Sequence, residues 1–211
     1  ILHNACFLAR SEVRACVAEW RSSVVALRHA AAAAAKHNQE IPKFFSSLGN
    51  VTGLSKLYFR DTGMGPLVAK HLASKLLGSS FSNRLMELDV SGNELGEEGK
   101  RYIAEALGAK NLPLKLLVID AANKKTLRLT KDKTSQLDLA NKGLGREDGY
   151  ILGAWLSHCK SIVSAITLNG NPDFIGGATN VGTVSDLPWW KDFCDKVMQT
   201  TKLETLLLSD I

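Results

Sequence analysis

From residue 54 onward, short runs of alternating apolar and polar residues are each followed by apolar residues three and four apart. Alternation with period two marks a strand with one buried face, and spacing of three to four marks an amphipathic helix. The stretch Leu85, Leu88, Val90, Asn93, Leu95, Gly96 is matched by Leu54, Leu57, Phe59, Thr62, Met64, Gly65, thirty-one residues earlier. The match runs on into the helix, with Leu72, Ala73 and Leu76 against Ile103, Ala104 and Leu107. Further copies start at Leu137-Asp138-Leu139 and Ile166-Thr167-Leu168, with partial ones at Leu114, Leu117, Ile119 and at Leu203, Leu206, Leu208. A strand–turn–helix unit of this kind cannot bury its apolar side alone, so adjacent units are expected to stack. Asn93 and Asn171 fall where the chain leaves the strand, and their amides are expected to satisfy backbone groups of the turn.

The form LxxLxLxxNxLGxxGxxxLAxxL, filled at every marked position by residues 85–107, resembles the ribonuclease-inhibitor type of leucine-rich repeat. The resemblance spans about residues 54–211. It implies an α/β solenoid with parallel strands on a concave face and helices on a convex face. Such repeats recur in cytoplasmic inhibitors, NOD-like receptors, Ran GTPase-activating proteins and assembly subunits, so they say little about a partner.

Two stretches depart from the pattern. Residues 121–136 leave no room for a helix between Ile119 and Leu137, and a short extra strand or hairpin is expected there. Its basic residues are Lys124, Lys125, Arg128, Lys131 and Lys133. Residues 172–187 read as a surface loop rich in glycine. Lys142 stands where the third copy should carry Asn.

Residues 1–50 read as a helical N-terminal extension or cap, and residues 51–211 as the repeat domain with the two insertions. Cys6, Val13, Trp20, Leu27 and Ala34 lie seven apart over a segment without Gly or Pro, as in a helix seam. Residues 41–48 are expected to form a short helix entering the first strand. At the other end Leu206 to Ile211 follows a strand without its helix, and an open edge there predicts further chain or a covering partner.

Composition changes this picture little. A net charge of +5 on 211 residues is a mild excess that permits an acidic partner without indicating nucleic acid. No apolar run is long enough to span a bilayer, so no membrane insertion is expected. Cys6, Cys16, Cys159 and Cys194 lack CxxC pairing and read as reduced thiols of an intracellular, cytoplasmic protein. The sequon at Asn50-Val51-Thr52 is read as fortuitous.

No phosphate-loop, dinucleotide, hydrolase-elbow or HExxH motif occurs, and His158, Cys159 and Cys194 are too irregularly spaced for zinc. No cofactor, metal or catalytic residue is expected. Candidate partner-binding residues are those on the open strand face and just past it: Tyr58, Arg60, Asp61, Asp89, Asp120, Asp138, Asn169 and Asp210. Together they would form a mostly acidic stripe suited to a basic segment, with Tyr58 as aromatic anchor. Trp189 and Trp190 are added as a hot spot. The expected function is non-enzymatic: a protein-interaction scaffold, a subunit of a larger intracellular assembly. The alternatives are a GTPase-activating role through Arg60, implied by the Ran-activating relatives, and RNA contact through the basic insertion. Nucleic acid is not favoured, because that insertion lacks aromatics for base stacking.

Overall fold

The computed structural model describes residues 43–48, 54–78, 80–109, 112–131, 135–159, 162–175, 188–209 and 211. A helical segment, α1, covers 43–48. In chain order follow β1 (Lys56–Tyr58), α2 (Pro66–Gly78), a 3-10 turn (Ser80–Arg84), β2 (Glu87–Asp89), α3 (Gly96–Ala109) and β3 (Leu116–Asp120). Then come β4 (Thr126–Thr130), β5 (Gln136–Asp138), α4 (Arg146–Cys159), β6 (Ala165–Thr167), α5 (Pro172–Ile175), α6 (Pro188–Met198) and β7 (Thr205–Leu207). The heptad segment 1–37, the sequon, Cys6, Cys16, Lys133, residues 176–187 and Asp210 lie outside the described residues.

Helix boundaries follow from local chemistry. Pro66 opens α2 at a position where its missing N–H costs nothing. Glu97 and Glu98 in α3, and Glu147 and Asp148 in α4, place negative charge on the first turn against the helix dipole.

The strands do not build one continuous solenoid sheet, and that expectation is corrected. Among the described residues they form two small sheets, one of order β1-β2-β3-β4 and one of order β5-β6-β7. In the first, Leu57, Leu88 and Leu117 sit side by side on parallel strands. The chain then reverses through Ala121–Lys125 and returns as β4, antiparallel to β3 with Leu129 opposite Leu117. That return strand fills the edge of β3 that β5 would have needed. A second, all-parallel sheet therefore begins at β5, with Leu137, Ile166 and Leu206 in register. The fold is mixed α/β, with two sheets and helices packed on them.

Strands β1 to β6 each point an apolar residue inward. Leu57, Leu88, Leu117, Leu129 and Ile166 are fully buried beneath α2, α3 and α4 in one connected core that includes Trp155, Phe174, Trp189 and Phe193. On the first-strand side of the core Phe44 packs edge-on against Phe45 and Phe59, Phe45 lies tilted against Phe59, and His71 stacks on Phe45.

The seam between the sheets is polar. Lys100 of α3 donates to Asp148 Oδ1 of α4 at 2.5 Å, and both side chains are buried. The other oxygen of Asp148 accepts the backbone N–H of Gly145 at 2.8 Å and of Ala122 at 2.9 Å. The first of these closes the helix start as a capping box does. The second ties the β3–β4 turn to it. Burial pushes the Asp148 carboxyl up, against the pull of Lys100 and the two amides. Close by, Asn123 donates its backbone N–H to Gly143 O, and Lys125 reaches Asn141 O at 3.3 Å. Farther along, His158 Nε2 lies 2.9 Å from Leu107 O, with burial holding the imidazole pKa down.

Gly149 fits α4 against α6. A Cβ there would stand well under 3.0 Å from Cε3 and Cζ3 of Trp189, which is itself buried. Gly149→Ala should therefore displace Trp189 and cost about 1–3 kcal/mol, the range for overpacking a well-packed core. Urea unfolding followed by tryptophan fluorescence checks this, and an unchanged midpoint would show that α6 moves aside freely.

Candidate functional site

The residues that alternate outward on the first sheet lie on the side opposite the buried leucines, with Val118 in their midst itself buried at 2% exposure. Lys56 and Tyr58 lie on β1, Glu87 and Asp89 on β2, Leu116, Val118 and Asp120 on β3, and Thr126, Arg128 and Thr130 on β4. Period-two geometry puts them opposite the buried leucines. Read across the strands, one row is Lys56, Glu87, Leu116, Thr130, and the next is Tyr58, Asp89, Val118, Arg128.

Glu87 organises the row ends. Lys56 Nζ lies 2.6 Å from its Oε1, and the Tyr58 hydroxyl donates to its Oε2. These two partners hold the Glu87 carboxyl below the usual range, Lys56 acting most strongly. The Tyr58 phenol is pushed up to about 12, first by burial, then by its hydrogen bond to Glu87 and the negative charges of Glu87 and Asp89. Tyr58 thus stays a neutral donor, while its ring is 47% exposed. An exposed ring fixed by a cross-strand hydrogen bond loses little freedom on contact with a partner. The face presents fixed charge of both signs around one aromatic.

The single acidic stripe does not form. Asp89 stands level with Val118, not with Asp120. Asp120 lies farther on, where its Oδ2 accepts Gly92 N–H at 2.6 Å and its Oδ1 the Thr126 hydroxyl at 3.1 Å. Asp89 accepts the Ser91 N–H at 3.0 Å and the Ser91 hydroxyl at 2.6 Å. Asp138 accepts Ala140 N–H at 3.0 Å, and Asn169 Oδ1 accepts Ser209 N–H at 2.9 Å, both in the second sheet. Asp89, Asp120, Asp138 and Asn169 thus each accept hydrogen bonds at a strand exit instead of lining one continuous stripe. Arg60 and Asp61 form an exposed pair at 3.4 Å in the turn after β1, with Asp61 at φ +53° beside Gly92.

Other candidates are scattered. The basic insertion does not make one strip: Lys125 is turned toward Asn141, Arg128 lies on the sheet face, and Lys124 occupies the turn at φ +66°. Burial lowers the His158 pKa and raises that of Cys159, and the charge of nearby Lys131 adds a smaller downward pull on both. Trp189, expected as a partner-facing hot spot, is in the core instead, edge-on to Phe174 at 5.2 Å. Trp190 is half-buried and stacks on Phe193 at 5.8 Å. Cys159 is a buried thiol pushed up to about 11 by desolvation, hence unreactive as a nucleophile. Among the described residues no group of three or more His, Cys, Asp or Glu side chains is placed to hold a metal ion.

Asn93 and Asn171 serve the turns. Asn93 donates to Phe59 O at 2.7 Å and Val90 O at 2.8 Å, and accepts from the backbone N–H of Thr62 and of Met64. Asn171 does the same for Leu139 O, Leu168 O and the N–H of Leu144. Each Asn thus binds the carbonyl of the preceding parallel strand. The departure at Lys142 now has a reason. The strand before β5 is antiparallel β4, which offers no such carbonyl, and Lys142 is exposed.

Sequence reasoning missed Lys56 and Glu87. Each sits two residues before a residue it singled out, Tyr58 or Asp89, and only strand pairing reveals that Glu87 bridges Lys56 and Tyr58. It also missed Lys100 and Asp148, which look like ordinary residues of a solvated helix until α3 and α4 are packed. Neither a protein-family model nor a curated protein matches the chain.

Proposed function

We propose that this chain is a non-enzymatic protein-interaction module, a subunit of a larger intracellular assembly, which binds its partner on the open face of the first sheet. The observation that carries the reading is the exposed, prepositioned Tyr58 ring among Lys56, Glu87, Asp89 and Arg128 on the outward-alternating side of the first sheet. An aromatic anchor ringed by charge of both signs gives affinity at its centre and selectivity at its rim. The likeness of residues 85–107 to repeats common in protein-binding proteins supports the same reading. Among the described residues no helix is long and apolar enough to cross a membrane.

The test is a photocrosslinking amino acid at position 58, with one at exposed Leu67 of α2 as control, followed by affinity measurement on the crosslinked protein. Tyr58→Ala should weaken binding by about tenfold or more, as loss of an anchor does. Arg128→Glu should slow association in a salt-dependent way. A protein crosslinked equally from both positions, or an affinity unmoved by both variants, would exclude this face.

A further inference from the structure

We propose that three lysines on two interlocked turns at the seam between the sheets, Lys124, Lys125 and Lys142, form a docking point for a short acidic segment of another polypeptide. The inference uses none of the residues of the first-sheet face, so either reading can fail without the other.

The two turns carry the same dipeptide, Asn123-Lys124 after β3 and Asn141-Lys142 after β5. They are locked together. Asn123 donates its backbone N–H to Gly143 O at 3.3 Å, and Lys125 Nζ lies 3.3 Å from Asn141 O. The Asn123 side chain fills the space where a Cβ on Gly143 would stand. Contacts this close bring the three lysines to one place on the rim, and all three are exposed. Lys124 also has φ +66°, a left-handed conformation that glycine takes without strain and lysine does not. A strained residue kept at a surface turn points to a use for its side chain.

The lysines are not neutralised from within. Among the described residues no carboxylate lies within ion-pair distance of Lys124, Lys125 or Lys142. The acids at the start of α4 are turned to another cation: Asp148 holds Lys100 at 2.5 Å, and Glu147 lies 3.6 Å from it. Like charges gathered without a counter-ion raise the local potential and draw in an anionic partner. The extent of the patch selects which one. Asp120 ends β3 and Asp138 ends β5, so negative charge precedes each turn and confines the positive patch to the turns themselves. A nucleic-acid backbone carries charge evenly along its length and would run on over these carboxylates. Residues 121–125 and 139–145 also include no aromatic side chain on which a base could stack. A few consecutive Glu or Asp side chains match the patch in both sign and extent.

The probe is a fluorescein-labelled octaglutamate peptide added to the full chain and followed by anisotropy. Saturable binding is expected, weakened severalfold as salt rises from about 50 to 300 mM, because exposed charges are screened. Lys124→Gln, Lys125→Gln and Lys142→Gln together should weaken it about tenfold or more, as loss of three exposed ion pairs does. Lys70→Gln, Lys191→Gln and Lys202→Gln together remove the same net charge from exposed lysines elsewhere and should leave affinity within about twofold. Lys124→Gly separates binding from folding. Its urea midpoint should hold or rise, since the left-handed turn suits glycine, while its affinity falls about twofold or more. Four results would overturn the proposal: no binding up to about 1 mM peptide; the two triple variants weakening it equally; an affinity unmoved by Lys124→Gly; and an oligothymidylate of equal charge binding more tightly than the peptide, which would make nucleic acid the partner.

Discussion

Lys100→Met is expected to cost about 3–5 kcal/mol of folding stability, the range for breaking a buried ion pair by removing one partner. Lys100 and Asp148 are 5% and 1% exposed, so the carboxylate left behind could not be rescued by water without opening the α3–α4 contact. The loss should depend on pH in a definite direction. Burial already pushes Asp148 up, and without Lys100 the folded protein would prefer the protonated acid still more strongly. A group whose folded pKa lies above its unfolded value contributes stability below the unfolded value and loses it as pH rises through the folded one. The variant should therefore be nearest to wild type in acid and farthest from it at neutral and alkaline pH. Adding Asp148→Asn removes the stranded charge while its side-chain oxygen still accepts from Gly145 and Ala122, so the double variant should regain more than half of the loss. Urea denaturation at pH 5 and pH 8 measures all of this. A loss under about 1 kcal/mol with no pH dependence would mean that the pair is open to solvent.

Asn171→Ala is expected to be comparably damaging, at about 3–5 kcal/mol. The side chain is fully buried, and its removal strands Leu139 O and Leu144 N–H, each worth about 1–3 kcal/mol unsatisfied. Leu168 O loses a partner as well. Asn93 makes the equivalent bonds in the first sheet but is half-exposed, so water can replace part of them and Asn93→Ala should cost about half as much. Asn171→Asp should be no better than alanine, since it keeps the acceptor but loses both donations and buries a charge. Thermal unfolding of the three variants ranks them, and Asn93→Ala equalling or exceeding Asn171→Ala would show that burial does not set the cost.

Much of the local structure was legible in residue spacing because it depends on near neighbours. The period-two leucines place strands at Leu57, Leu88, Leu137 and Ile166, and the three-to-four spacing places α2, α3 and α4. The Asn positions were legible in part, because each amide meets one carbonyl three residues away, Val90 O or Leu168 O, while its partners in the preceding unit lie about thirty residues off. The candidate site was much less legible. Tyr58 and Arg128 were singled out for separate reasons, yet they share one row only through the pairing of four strands, and the bridging Glu87 carried no local signal.

What the sequence determined by itself is which residues turn inward and where each strand gives way to a helix, since backbone geometry and burial act within each unit. Only the tertiary structure decided how units combine. The antiparallel return of β4 occupies the edge of β3 and divides the strands into two sheets, where a stacking rule had foreseen one. It also drew Lys100 and Asp148 into the seam, took Trp189 into the core against Gly149, and spent the strand-face carboxylates on backbone amides. The physical reason is common to all of these. Hydrogen-bonding capacity and apolar surface are local properties, but which partner satisfies them is settled by segments tens of residues away.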